Sequence, residues 1–214
     1  MTQPVLYSFR RCPYAIRARL AIASARIEVE LREVLLRDKA PEFLETSPTG
    51  TVPCLKVSDH VIDESFDIML WALTQHDPEN FLDRSDESRA LIDTTDGPFK
   101  TALDRYKYHT RYDDCVRETE REKAKAHLDD LNARLSGQDW LFGDAPKLAD
   151  LAILPFIRQF ALTDKAWFDA QNWPHLQRWL ETFLTSQRFT SIMTKYPKWQ
   201  SGDPVTSFPK FPLF

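Results

Sequence analysis

The chain has 214 residues, 43% of them hydrophobic and 28% charged, which is enough apolar material for one large core or two modest ones. A net charge of −4 argues against electrostatic nucleic-acid binding, and no apolar run approaches the ~20 residues that span a bilayer. Three cysteines, Cys12, Cys54 and Cys115, are too few for a disulfide framework. With no basic-then-apolar leader before "PVLYSF", they make the cytoplasm the expected location.

In chain order, "PVLYSF" reads as a short strand running into Cys12, after which Pro13 suits a first helical turn. Ile16, Leu20 and Ala23 then recur at helical spacing, leaving Arg17, Arg19 and Arg26 off the apolar stripe. "IEVELREV" alternates apolar and charged positions like a half-buried strand. "PEFLET" allows one or two helical turns before the breaker "SPTG". "VPCLKV" and "HVID" are two strands around a Ser58-Asp59 turn. Ser65 to His76 is helical again, with Ile68, Leu70, Trp71 and Leu73 available for burial. The predicted order is β-α-β-α-β-β-α over residues 1–77.

The polar stretch 78–88 then reads as a linker, and residues 89–214 as an all-helical domain. Arg89 to Tyr112 and Arg117 to Leu135 are the first two long helices. Leu148 to Leu162 is a third, with Pro155 expected to kink it. In "NWPHLQRWLETFL" the residues Leu176, Trp179, Leu180 and Phe183 share one apolar face. The tail from Pro197 to Phe214, with four prolines and three phenylalanines, is expected to lie extended over these helices.

A strand that runs into a Cys-Pro helix start puts a sulfur over unpaired backbone N–H groups, where the helix dipole favours the thiolate. Arg10 and Arg11 stand beside it; their side-chain directions are not set by sequence. The alternative is a small buried core residue, as most free cysteines are. Position 15 is alanine, so Cys12 lacks a neighbouring thiol and a second thiol must come from outside. The common cytosolic donor is glutathione. A cis Val52–Pro53 bond would leave the Val52 backbone free to hold an extended peptide as an added strand. In "DESF", Ser65 as a helix N-cap offers an anion site, and Glu64 an acceptor for an ammonium. Those two charges are what the γ-glutamyl end of glutathione presents. Taken alone, the tetrapeptide reads as an ordinary cap with an acidic neighbour.

Together these stretches resemble the glutathione transferase superfamily, over essentially the whole chain and in the family's order. The resemblance implies an α/β thioredoxin-like N-terminal domain and an all-α C-terminal helical domain. "RRCPYA" is similar to the active-site motif of the cysteine-type classes, the omega class being the nearest, with Cys12 as nucleophile. "TVPCL" resembles the family's cis-proline segment, with Val52 and Pro53 against the cysteinyl part of glutathione. "DES" resembles the motif for the γ-glutamyl group, Glu64 and Ser65, and Lys39 the basic position for the glycyl carboxylate. "GDAPKLADLAILP" resembles the segment that caps a buried helix through Asp150. Here Lys147 replaces the usual Ser or Thr, a missing half-cap worth about 1 kcal/mol.

Tyr7 is either a secondary hydroxyl donor or a buried aromatic. Tyr106, Tyr108, His109 and Tyr112 are candidate lining for an acceptor substrate between the domains, or core packing. His109 has no second ligand at a recognisable spacing, so no metal is expected. The resemblance implies glutathione as cosubstrate, a small-molecule or protein-thiol acceptor, a homodimer, and neither nucleic-acid nor membrane partners. The expected activity is thiol transfer through a Cys12 mixed disulfide. The alternatives are conjugation of glutathione to electrophiles and a non-catalytic binding protein on the same fold.

Overall fold

The computed structural model describes residues 3–82 and 85–210. The chain divides into two compact units, one made of Met1–Leu82 with Thr185–Phe214 and the other of Asp83–Leu184.

The first unit opens with β1 (Val5–Ser8), α1 (Pro13–Ser24), β2 (Val29–Glu33) and α2 (Pro41–Thr46). It continues with β3 (Cys54–Val57), β4 (His60–Ile62) and α3 (Ser65–Gln75), which is the predicted order. β1 pairs parallel with β2 and antiparallel with β3, and β3 pairs antiparallel with β4. This is a thioredoxin-like mixed sheet. Ser58 takes a positive φ of 52° at the β3–β4 turn, where a short polar side chain tolerates the left-handed region better than a branched one.

Two expectations about this unit are corrected. The described part of the tail extends the sheet of this unit: β5 (Ser207–Phe208) pairs antiparallel with β2, giving the order β4-β3-β1-β2-β5. A bare β2 edge would expose unpaired N–H and C=O groups, and β5 covers them. The helix α10 (Gln187–Ile192) also belongs here and packs on α1. Consequently α1, in contact with α3 and α10, is buried nearly all round, and Arg17 and Arg19 lie inside rather than in solvent. The expected stripe of Ile16, Leu20 and Ala23 is buried as well.

The stretch 78–88, expected as a linker, is held by specific contacts in its described part. The Asp77 carboxylate accepts from the N–H groups of Phe81 (2.9 Å) and Leu82 (2.8 Å), and the Phe81 ring is buried under the Arg188 guanidinium at 4.7 Å. Asp83 and Arg84 of that stretch lie outside the described residues, as do 211–214 of the tail.

The second unit is helical. α4 (Asp86–Thr94) is capped by Ser85, whose hydroxyl accepts from the Ser88 N–H. It passes through a π-helical turn, Thr95–Phe99, into α5 (Lys100–Lys107). Pro98 in that turn has no N–H to donate, so the regular ladder is interrupted within the stretch Arg89 to Tyr112 expected as one continuous helix. α6 (Arg117–Arg134), α7 (Leu148–Ala161), α8 (Lys165–Asp169) and α9 (Pro174–Thr185) follow, and a 3-10 turn at His109–Arg111 joins α5 to α6. α7 is the hub: every residue except Arg158 and Gln159 is buried, and the helix runs through Pro155 without interruption.

Asp150, in the first turn of α7, is fully buried. Its carboxylate accepts from the Leu141 N–H (3.0 Å), the Lys147 N–H (2.8 Å) and the Trp179 indole N–H (3.0 Å). Burial outweighs these bonds and pushes its carboxyl up to about 6. Lys147 offers no acceptor in return, because an ammonium only donates.

Candidate active site

β1 ends at Ser8, and residues 9–12 form a turn in which the Cys12 N–H donates to the Phe9 carbonyl oxygen at 3.0 Å. Cys12 is the N-cap of α1: its backbone is extended, its carbonyl accepts from the Ile16 N–H at 2.9 Å, and Pro13 takes the first helical position. The sulfur is half-buried at the start of a twelve-residue helix, where the dipole favours negative charge. Arg11 is exposed with its guanidinium 5.6 Å from the Phe9 ring centre, and the Arg10 backbone N–H donates to Glu33 Oε1 at 2.7 Å.

Val52 is the residue brought against Cys12. The Cys12 thiol donates to the Val52 carbonyl oxygen with a sulfur–oxygen distance of 3.6 Å. The Val52–Pro53 peptide is cis. Pairing of β3 with β1 begins at Cys54, opposite Tyr7, so Val52 stands just outside the ladder. Phe9 and Cys12 pack on a buried cluster of Tyr7, Val34, Phe43, Val52 and Cys54. Cys54 is thus a second thiol in the same cluster, a placement the sequence could not give. Burial pushes its thiol up to about 11, so it is protonated at neutral pH and inert as a nucleophile.

At the start of α3 the N-cap is Glu64, and Ser65 is the first helical residue, one position later than expected. Ser65 is buried and its hydroxyl accepts from Arg17 Nη1 at 3.4 Å, while Glu64 is exposed. Arg17 thereby links the helix that starts at Cys12 to the helix that starts at Ser65. Lys39 is half-buried between the Leu35–Asp38 bridge and α2. Tyr7 is a buried aromatic: its ring stands 5.1 Å from Phe43, and its hydroxyl accepts from Arg32 Nη1 at 2.8 Å.

The four aromatic and imidazole positions of the helical unit do not form one stripe. Tyr106 is fully buried, 5.3 Å from the Phe160 ring and 4.9 Å below the Arg117 guanidinium. Tyr108 is half-buried at the C-cap of α5, stacked under Arg111 at 4.2 Å. His109 opens the 3-10 turn, and Tyr112 follows it, exposed, with Arg105 at 4.9 Å.

The glutathione S-transferase N-terminal domain family matches residues 6–80, and the glutathione S-transferase C-terminal domain family matches residues 101–182. Together they span most of the sequence, and the chain belongs to the glutathione S-transferase family. It is 27% identical to glutathione S-transferase 4 of Zea mays over 194 residues, covering 81% of this chain and 84% of that one. It is 29% identical to glutathione S-transferase D7 of Drosophila melanogaster, covering 82% of each. The fold is also that of a glutathione transferase family member from Pseudomonas fluorescens solved with two glutathione molecules bound. The TM-score is 0.78 at 19% identity, over 89% of this chain and 92% of that one.

Proposed function

We propose that the protein is a cytoplasmic, glutathione-dependent thiol transferase of the cysteine type, similar to the omega class. The observation that carries this reading is the sulfur at the N-cap of α1, half-buried and 3.6 Å from the Val52 carbonyl oxygen. In relatives that use a hydroxyl, glutathione can only be held as a thiolate; a sulfur can bond to it.

In the first step the Cys12 thiolate attacks the glutathionyl sulfur of a mixed disulfide, R–S–SG. The Cys12–SG bond forms, and RS⁻ leaves with the electron pair of the broken bond. In the second, the thiolate of free glutathione attacks the glutathionyl sulfur on Cys12, giving glutathione disulfide and regenerating the Cys12 thiolate. Cys54 cannot perform that second step at neutral pH, because burial keeps it protonated. In this reading free glutathione supplies the resolving thiol.

Val52 would pair with the cysteinyl backbone of glutathione beside Pro53, Glu64 and Ser65 would receive the γ-glutamyl ammonium and carboxylate, and Lys39 the glycyl carboxylate. Tyr106, Tyr108, His109 and Tyr112 belong to the acceptor side of the proposal. A homodimer is the assembly this reading carries with it.

Conjugation of glutathione to an electrophile is the second reading, favoured by the transferase names of the relatives. Cys12→Ser separates the two. Serine cannot form a mixed disulfide, so thiol transfer is expected to vanish while glutathione still binds. A hydroxyl at a helix start can still donate to the glutathione sulfur, so conjugation is expected to persist or rise. Thiol transfer at the unaltered rate would contradict the proposal.

A further inference from the structure

Arg19 is fully buried seven residues along the helix that begins at Cys12. Its guanidinium is spent on the turn that carries the cysteine. Nη2 donates to the Arg10 carbonyl oxygen at 2.6 Å, and Nη1 donates to the Ser8 hydroxyl at 3.1 Å. Glu33, at the end of β2, holds the other side of the same residue through Oε1 and the Arg10 N–H at 2.7 Å. The backbone N–H and carbonyl of Arg10 are therefore gripped by opposite charges from two different elements. The β2 backbone is tied to the same place, since the Val34 N–H donates to the Ser8 carbonyl oxygen at 2.7 Å.

Arg19 Nε and Glu33 Oε2 are buried without hydrogen bonds, which an ordinary structural ion pair would use up. The charged and titratable groups facing Arg19 are Glu33 from β2, Cys12 and Arg10 from the turn, and Tyr196 from the tail. Met193, after α10, closes the remaining side with its sulfur 3.8 Å from Nη2. Burial lowers Arg19 to about 10, so it keeps its charge at neutral pH, and burial raises Glu33 against the pull of the Arg10 N–H and of Arg19.

We propose that Arg19 and Glu33 are positioning residues for Cys12: an internal charge clamp on the Arg10 peptide that fixes the turn and sets how readily the sulfur ionises. The inference rests on Cys12 being the reactive thiol of the proposed site. The guanidinium favours the thiolate, and the carboxylate moderates that field. Removing each charge therefore moves Cys12 in opposite directions, which mere loosening of the turn cannot do.

The test is the rate of Cys12 alkylation by iodoacetamide from pH 5 to 9, read by peptide mass spectrometry on the full chain. Arg19→Met is expected to move the rate profile to higher pH and to slow alkylation at pH 7 by roughly threefold to tenfold. Arg19→Lys, which restores the charge, is expected to recover most of that loss. Glu33→Gln keeps an oxygen for the Arg10 N–H but removes the negative charge, and is expected to move the profile to lower pH. A folded Arg19→Met with an unmoved profile, or a Glu33→Gln profile that stays in place or moves upward, would overturn the clamp. If Arg19→Met does not fold, Glu33→Gln alone decides. Alkylation needs no glutathione, so opposite shifts without any glutathione adduct would sustain the clamp and sink the thiol-transfer reading.

Discussion

Arg17 Nη1 stands 3.4 Å from Ser65 Oγ, so the helix that begins at Cys12 donates a hydrogen bond to the first residue of the helix expected to hold the γ-glutamyl group. The proposed nucleophile and the proposed γ-glutamyl site are thereby both tied to α1. Ser65 is buried and Glu64 exposed, which suits a hydroxyl aimed inward and a carboxylate free to meet an ammonium.

Ser65→Ala and Glu64→Gln are each expected to weaken glutathione binding by about 1–3 kcal/mol, the range for losing a charge-assisted hydrogen bond. Alkylation of Cys12 should survive both changes. Calorimetry gives the affinity, and unaltered values in both variants would reduce the Glu64-Ser65 pair to an ordinary helix start.

Asp150 is expected to matter for stability. Asp150→Ala leaves three donors without an acceptor, the N–H groups of Leu141 and Lys147 and the Trp179 indole, and should cost about 3–5 kcal/mol. Asp150→Asn keeps an oxygen for Leu141 and Trp179, which share Oδ1, and should cost less. Lys147→Ser supplies the missing cap acceptor and should add about 0.5–1 kcal/mol. Urea unfolding of the three variants orders them; an Asp150→Ala protein as stable as its parent would remove the carboxylate from this role.

His127 is expected to impose a pH dependence. Its Nε2 lies 2.9 Å from Thr95 Oγ1, and the Thr95 hydroxyl donates to the Leu91 carbonyl oxygen at 3.0 Å, so the imidazole N–H is the donor of the pair. Burial lowers His127 from 6.5 to about 4. The unfolded chain therefore binds the proton more readily. Stability from this group is complete above pH 6.5 and is lost as pH falls towards 4, by up to about 3 kcal/mol. Asp150, raised to about 6, acts with the opposite sign between pH 4 and 6, so the comparison must be with His127→Gln, where the Asp150 contribution cancels. Parallel stability curves for the two proteins between pH 4 and 6.5 would contradict it.

What was legible in the sequence was carried by local signals. Pro13 after Cys12, the alternation around Val29 and Leu31, and the Ser58-Asp59 turn each act within a few residues, and the order of strands and helices followed from them. The burial of Arg17 and Arg19 was not legible. Helical periodicity assigns charges to the outside, whereas Arg17 is buried against Ser65 of α3 and Arg19 beside Met193, which follows α10 more than 150 residues along the chain. The pairing of β5 with β2 was hidden for a similar reason. A two-residue strand among prolines has no alternation to read, and its place is set by the β2 edge it covers. Trp199 reinforces that placement, its ring lying 4.2 Å from the Arg32 guanidinium and its backbone N–H donating to the Glu33 carbonyl oxygen at 2.9 Å. At the site, Cys12, Val52 and Ser65 were visible as motifs, whereas the Arg19–Glu33 grip depends on contacts between separate elements.

A covalent bond between the Cys12 sulfur and glutathione is read directly from the intact mass of the protein. The protein is incubated with glutathione disulfide, its mass is read, and the adduct is located by peptide mapping before and after free glutathione is added. The expected result is a gain of one glutathionyl group on Cys12, absent in Cys12→Ser and reversed by free glutathione. No adduct on Cys12, or one only on Cys54 or Cys115, would contradict it.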